Sequence, residues 1–258
     1  MHSIQLKRTL ELIWVKASLN LRSEASVNYL SYAWWVIEPL LHMVVYYLVF
    51  SFLLRRGGEN FVAFLLTGLI PWLWFSKTIS HTMGSILQGK QLMNQLYIPK
   101  LFFPLTSVVQ NALKQLIVFV LLFFFLVCYG IHPSVSWINI FPVIFVQFFF
   151  IIGCSLIAAI SVPFVRDMKF IIPTGLQFMM FCSGIFFSHH DIPQHIHKFF
   201  FLNPMAVILA SFRDVLIYNV LPNYTLLAYV AVLDFILIIF SVYLYNKLEY
   251  VLPRVVLE

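Results

Sequence analysis

The stretch INIFPVIFVQFFFIIGCSLIAAISVP, residues 138 to 163, carries no charged side chain. At ~1.5 Å per residue, a helix of this length reaches across the ~30 Å hydrocarbon core of a bilayer. In lipid the backbone amides must bond within the segment, so the stretch reads as a membrane-spanning helix and not as a strand. Working outward, comparable apolar runs cover 32 to 54, 61 to 80 and 105 to 128 before it, and 170 to 187 and 224 to 245 after it. The sequence therefore predicts an all-α membrane protein with six transmembrane helices. Composition agrees: 62% of residues are hydrophobic, 18% aromatic and 10% charged, whereas a soluble domain is about a quarter charged. The formal charge of +6 does not point to nucleic acid, because Lys and Arg are scattered between apolar runs and form no basic face.

The scattered cations set an orientation. With the amino terminus inside, Lys7, Arg8, Lys16, Arg22, Lys77, Lys90, Lys100, Arg166, Lys169, Lys247 and Arg254 fall in the cytoplasm and only Arg55, Arg56, Lys198 and Arg213 outside. Both termini are thus expected to be cytoplasmic. Residues 4 to 22 form an amphipathic wheel with Leu6, Leu10, Ile13, Trp14, Ala17 and Leu21 on one side and Lys7, Glu11, Ser18 and Arg22 opposite. That pattern fits an interface helix lying in the membrane surface, or a helix packed on another protein. Residues 188 to 221 are too polar to span and too apolar to float, so re-entrant extracytoplasmic helices are expected between the fifth and sixth spans. No repeat, low-complexity tract, soluble domain or removable leader is visible, and 1 to 258 reads as a single transmembrane domain. Cys128, Cys154 and Cys182 lie in or beside apolar segments and imply neither a disulfide nor a metal site.

Three motifs read as decoys. Gly84 to Gln91 fills seven places of a phosphate-binding loop, but the eighth needs Ser or Thr and carries Gln91, and an apolar helix precedes it where a buried strand belongs. Any ATP that drives this chain must be bound by another one. His189, His190, Asp191, His195 and His197 match no metal-ligand spacing and read as a solvated loop. Asn223-Tyr224-Thr225 fits a glycosylation acceptor only as a three-residue match.

Ionisable residues inside the spans are more informative, since each must face protein or water. Glu38 lies about 9 Å into its span and Lys114 about 15 Å in from Pro104, both in the inner half of the membrane, with Asp234 near the middle of the last span. They read either as the lining of a wet passage or as ion pairs that fix helix packing. Tyr29, Tyr32, Trp34, Trp35, Tyr46, Tyr47, Trp72 and Trp74 gather at span ends, where rings anchor at the interface or stack on sugars.

The run Gln91-Leu92-Met93-Asn94-Gln95-Leu96-Tyr97-Ile98-Pro99-Lys100-Leu101-Phe102-Phe103-Pro104-Leu105, the pair Arg166-Asp167, and Leu202-Asn203-Pro204 with Arg213 nine residues later occur in order between suitably placed spans. Together they resemble the type-2 ATP-binding-cassette export permeases, in particular the polysaccharide branch that exports O-antigen, capsule and teichoic acid. Three positions depart from that branch: Asn94 and Gln95 stand where lysine is frequent, and Gly184 makes Ser183-Gly184 of a common Ser-Pro. The resemblance implies a homodimer joined to two copies of a nucleotide-binding ATPase subunit that holds ATP and Mg, with no cofactor or catalytic residue on this chain. It implies a coupling helix over 86 to 100, with Gln91, Leu92, Asn94, Gln95, Tyr97, Ile98, Pro99 and Lys100 contacting the ATPase. Arg22, Tyr29, Trp34, Trp35, Glu38 and Lys114 would line the entrance and channel for a lipid-linked polysaccharide. Phe199, Phe200, Phe201, Asn203, Pro204 and Arg213 would form an extracytoplasmic gate, and Arg166 and Asp167 a structural cytoplasmic pair, in a bacterial inner membrane.

Other classes fit less well. A membrane enzyme acting on lipid would gather several carboxylates or a His and Asp set at one face, and the ten acidic residues here are dispersed. A secondary transporter would show paired broken halves around a midplane site. A drug or small-lipid exporter of the same family is separated only by the polysaccharide-branch motifs.

Overall fold

A computed structural model of the chain describes residues 2–27, 31–53, 60–95, 98–188 and 192–257. They are helical, in the order α1 (His2–Val27), α2 (Ser31–Tyr47) running into a π-helical turn (Leu48–Leu53), α3 (Phe61–Thr82), the short α4 (Ser85–Gln88) and α5 (Lys90–Gln95), and α6 (Phe102–Cys128). A 3₁₀ turn (Val135–Asn139) leads into α7 (Ile140–Phe164), followed by α8 (Met168–Cys182), α9 (His197–Phe200), α10 (Pro204–Leu216), α11 (Tyr224–Leu248) and α12 (Val251–Leu257).

Among the described residues, four helices are long and apolar enough to cross a membrane: Phe61–Thr82, Phe102–Cys128, Val135–Phe164 and Tyr224–Leu248. The pair Gln194–Phe200 and Pro204–Leu216 is bent by 110° and makes a fifth if counted as one broken span. The stretches expected as first and fifth spans are interrupted. The first changes from α to π geometry after Tyr47. The fifth stops at Cys182 because Ser183 is followed by Gly184 at φ 74, a left-handed conformation open to glycine and closed to most residues. Gly184 thus breaks the helix.

α3 is the axial element. Ala63, Leu65, Leu66, Leu69, Trp72 and Phe75 are all buried, and its aromatics reach both neighbours: Trp74 meets Phe119 edge-on at 5.6 Å and Phe75 stacks on Phe150 at 5.3 Å. One polar tie crosses this core, from Gln147 Nε2 to the Pro71 carbonyl at 2.8 Å. α7 and α11 pack most extensively of all pairs, and Gly153 permits it: a Cβ there would lie 2.9 Å from Leu237.

A second cluster closes one pole. Ile13 of α1, Ile86 of α4, Phe102 and Phe103, the end of α7 at Leu156, Ala159 and Ile160, Tyr245, and Leu252 and Val256 of α12 form one buried apolar cluster. The first and last helices therefore sit at the same end of the bundle as α4 and α5. The expected surface helix over 4 to 22 is a longer helix, and its inner stripe is Ile13, Ala17, Asn20 and Glu24, spaced at one face of a 3.6-residue turn. Asn20 Nδ2 donates to Gln110 Oε1 at 3.1 Å and Glu24 pairs with Lys114, so α1 and α6 step forward together and run parallel. Leu10 and Trp14, expected beside Ile13, instead remain 57% and 56% exposed, because the stripe that packs on α6 is rotated away from them.

Candidate functional site

At the pole opposite the base cluster, the helix-breaking turn after α8 is stapled to α10 and α3. Asn203 caps α10: its Oδ1 accepts from Met205 N at 3.0 Å, Pro204 fills the first turn, where its missing N–H is no loss, and its Nδ2 donates to Ser183 Oγ at 2.9 Å. Arg213, buried on the same helix, donates from Nη1 to the Gly184 carbonyl at 2.6 Å, from Nη2 to the Ile185 carbonyl at 2.8 Å and from Nε to the Phe64 carbonyl at 3.4 Å. Its guanidinium lies 3.6 Å over the Phe64 ring. Gly68 leaves room for it, since a Cβ there would lie 2.5 Å from Nη2. The Asn-Pro and Arg signature is thus a clamp that holds three chain segments together. Beyond it, Phe200 and Phe201 meet edge-on at 5.2 Å and are half-buried, while Phe199 is 73% and Leu202 61% exposed.

Glu24, Glu38, Lys77 and Lys114 form two ion pairs. Lys77 Nζ lies 2.6 Å from Glu38 Oε2, and Lys114 Nζ 2.5 Å from Glu24 Oε2, with Lys114 also 5.5 Å from the centre of the Trp35 ring. Glu38 and Lys114 therefore have different partners, and neither pairs with Asp234. Both Asp234 oxygens are buried without a hydrogen-bond partner among the described residues. Asn111 Nδ2 extends the network to His81 Nδ1 at 2.8 Å. Glu24, Lys77, Asn20 and Gln110 escaped the sequence reading as site residues. The shared i, i+4 spacing of Asn20/Glu24 and Gln110/Lys114 was the available signal. Arg22 and Trp34 are exposed, Trp35 is half-buried, and Tyr29 lies outside the described residues.

In the 86 to 100 segment, Gln91, Gln95 and Pro99 are exposed, Leu92 and Ile98 half-buried against the base cluster, and Asn94's side chain and Tyr97 lie outside the described residues. Lys100 turns inward, donating to the Ile98 carbonyl at 3.2 Å. Burial pushes its pKa below the usual lysine value, with Glu249 opposing. Gly89 packs so closely on the Phe103 ring that a Cβ would overlap it. The glycines of the phosphate-loop look-alike thus flank a four-residue helix, and Gly89 serves packing. Arg166 and Asp167 are exposed at the α7–α8 turn, where the Asp167 carbonyl accepts from Phe170 N at 2.9 Å, and no ion pair joins them. His189, His190 and Asp191 lie outside the described residues; His197 Nε2 is 2.9 Å from the Ile192 carbonyl. Asn223 is an N-cap, accepting from Thr225 N and Leu226 N, which gives the glycosylation look-alike a structural role.

Comparison with known proteins places this geometry. Two proteins named O-antigen export system permease protein RfbA from Klebsiella pneumoniae are 31% identical over 90% of this chain and 89% of the relative, and 30% identical over 96% and 97%. The polysialic acid transport protein KpsM of Escherichia coli is 24% identical over 85% of this chain and 86% of its own length. Residues 12–217, from the base-cluster helix through the Arg213 clamp, match the family model described as ABC-2 type transporter, and the chain belongs to that family.

Proposed function

We propose that the chain is the permease subunit of an ATP-driven exporter that moves a lipid-linked polysaccharide, O-antigen on a polyprenyl diphosphate, across a bacterial inner membrane. The observation that carries this reading is the similarity to O-antigen export permeases, which runs across nearly the full length of both chains. Two copies of the chain would enclose the path on a two-fold axis, and two ATPase subunits would dock beneath α4, α5 and the loop to Lys100. α2 with its π turn, and α8 with the turn beyond it, complete six spans, with 188 to 221 re-entrant and both termini cytoplasmic. Clustering of α1, α4 and α12 at one pole supports the last point. ATP-driven closure of the ATPases moves α4 and α5, and the tilt reaches the clamp through α3, which touches both ends. The exposed ring of Phe199 stands at the outer mouth and limits leakage when no polymer is present.

The test is complementation: in cells lacking their own permease, the chain together with its cognate ATPase restores surface polysaccharide, and an ATPase variant unable to hydrolyse ATP does not. Polysaccharide flux in vesicles holding this chain alone would overturn the proposal. For the gate, deletion of Phe199 to Leu202 is expected to raise resting ion conductance of the reconstituted complex.

A further inference from the structure

Two crevices open side by side, one between α1, α3, α6 and α7 and the other between α2, α3 and α6, and neither belongs to the clamp or to the α4–α5 segment. One is apolar, about 520 Å³, lined by Trp14, Leu116, Phe119, Phe145 and Phe148. The other, about 140 Å³, is lined by Glu38, Lys77, Asn111 and Lys114. Trp74 and Gln115 belong to the walls of both, so the two adjoin. The shape is that of an amphiphile, a charged head beside a hydrocarbon tail, and the larger space lies within the roughly 300–1,000 Å³ of small-ligand sites.

The donor pattern selects the head. Each ammonium already meets one carboxylate, Lys77 with Glu38 and Lys114 with Glu24, but a lysine ammonium has three donors of which a carboxylate oxygen engages one, and the amides of Asn111 and Gln115 add more. Trp74 Nε1 and Gln115 Nε2, at the junction, are buried donors without an acceptor. Buried donors are normally satisfied, so the pair marks a place where an acceptor oxygen is wanted. The surroundings select the source. The mouth of the apolar crevice lies among outward-facing side chains of α6 and α7, with Leu116 57%, Phe141 70% and Phe145 63% exposed, the faces that bilayer acyl chains meet.

We propose that the two crevices form one site for a phosphate-bearing glycerophospholipid of the surrounding bilayer, its phosphate between Lys77 and Lys114 and one acyl chain along Phe119, Phe145 and Phe148. The site is independent of the polymer carried. Its occupant buttresses α1, whose Glu24 already holds Lys114.

Native mass spectrometry of the full chain in mild detergent tests this, after delipidation and titration with phosphatidylglycerol or with diacylglycerol of the same chains. One phosphatidylglycerol is expected to be retained about tenfold more tightly than diacylglycerol. Lys77→Gln removes that difference, and Lys77→Arg keeps it. Leu116→Trp, at an exposed position that tolerates bulk, lowers retention of both lipids. Equal retention of the two lipids by the unmodified chain, or unchanged retention in Leu116→Trp, overturns the site. A polyprenyl phosphate that displaces phosphatidylglycerol at equal concentration overturns the assignment to a bilayer lipid and makes the site one for cargo. None of these readouts requires transport, so they are separable from the export function.

Discussion

Arg213 directs its donors to backbone carbonyls and not to a carboxylate, so its removal leaves three acceptors stranded in a dry place. Arg213→Met is expected to destabilise the fold by about 2–4 kcal/mol, measured as a lowered Tm in detergent. Gly68→Ala acts on the same contact by overlap, and the double variant should show strong non-additivity in a double-mutant cycle. Asp234 is the reverse case: a carboxyl at 3% exposure with neither oxygen paired among the described residues. Asp234→Leu should leave the fold intact and raise Tm, because no partner is lost and a desolvation penalty is. Lys100 gives a pH signature. The folded chain binds its proton less tightly than the unfolded chain does, so stability rises as pH climbs from the depressed folded pKa towards the ordinary value of 10.5, and is flat outside that window. Lys100→Met removes that rise, as read from Tm against pH. The sequence could flag Arg213 by motif, but the identity of its acceptors depends on the turn at Gly184, which no local pattern announces.

At the scale of elements, the two ion pairs tie different helices: Glu38 and Lys77 join α2 to α3, and Glu24 and Lys114 join α1 to α6. Charge reversal within either pair, Glu38→Lys with Lys77→Glu or Glu24→Lys with Lys114→Glu, should recover most of the Tm lost in the single variants. Reversal of Glu38 together with Lys114 should recover none, because these two do not pair. The spans near 61, 105, 138 and 224 were legible because an uninterrupted apolar run has few alternatives in lipid. α2 and α8 were legible as apolar but not as broken, since a π turn and one left-handed glycine leave hydropathy unchanged. α1 was read as amphipathic, yet the face that packs was set by Asn20 and Glu24, polar residues that a hydrophobic wheel discounts. In the coupling segment, Gly89→Ala should push α4 and α5 off Phe103 and reduce co-purification of the ATPase, whereas Gln88→Ala, at an exposed position, should not.

For the molecule as a whole, the sequence disclosed a membrane permease because composition and ordered short motifs both survive without tertiary information. It did not disclose which charges meet, because that follows from crossing geometry. The clamp and the base cluster lie at opposite poles, with α3 between them. Its upper turns face Arg213 at Gly68 and Phe64, and its lower end carries Lys77 and His81. Reporter fusions at the two termini should both be active on the cytoplasmic side, as expected from a pole that gathers both.

The base cluster also constrains the order of biogenesis. Ile13 leaves the ribosome among the first apolar residues, and Leu252 and Val256, which complete the same cluster, emerge after every long apolar helix has been made. Throughout synthesis that pole stays unsealed and visible to chaperones and membrane proteases. A nascent chain stopped short of α12 would present the same unsealed face permanently, a ready mark for its destruction.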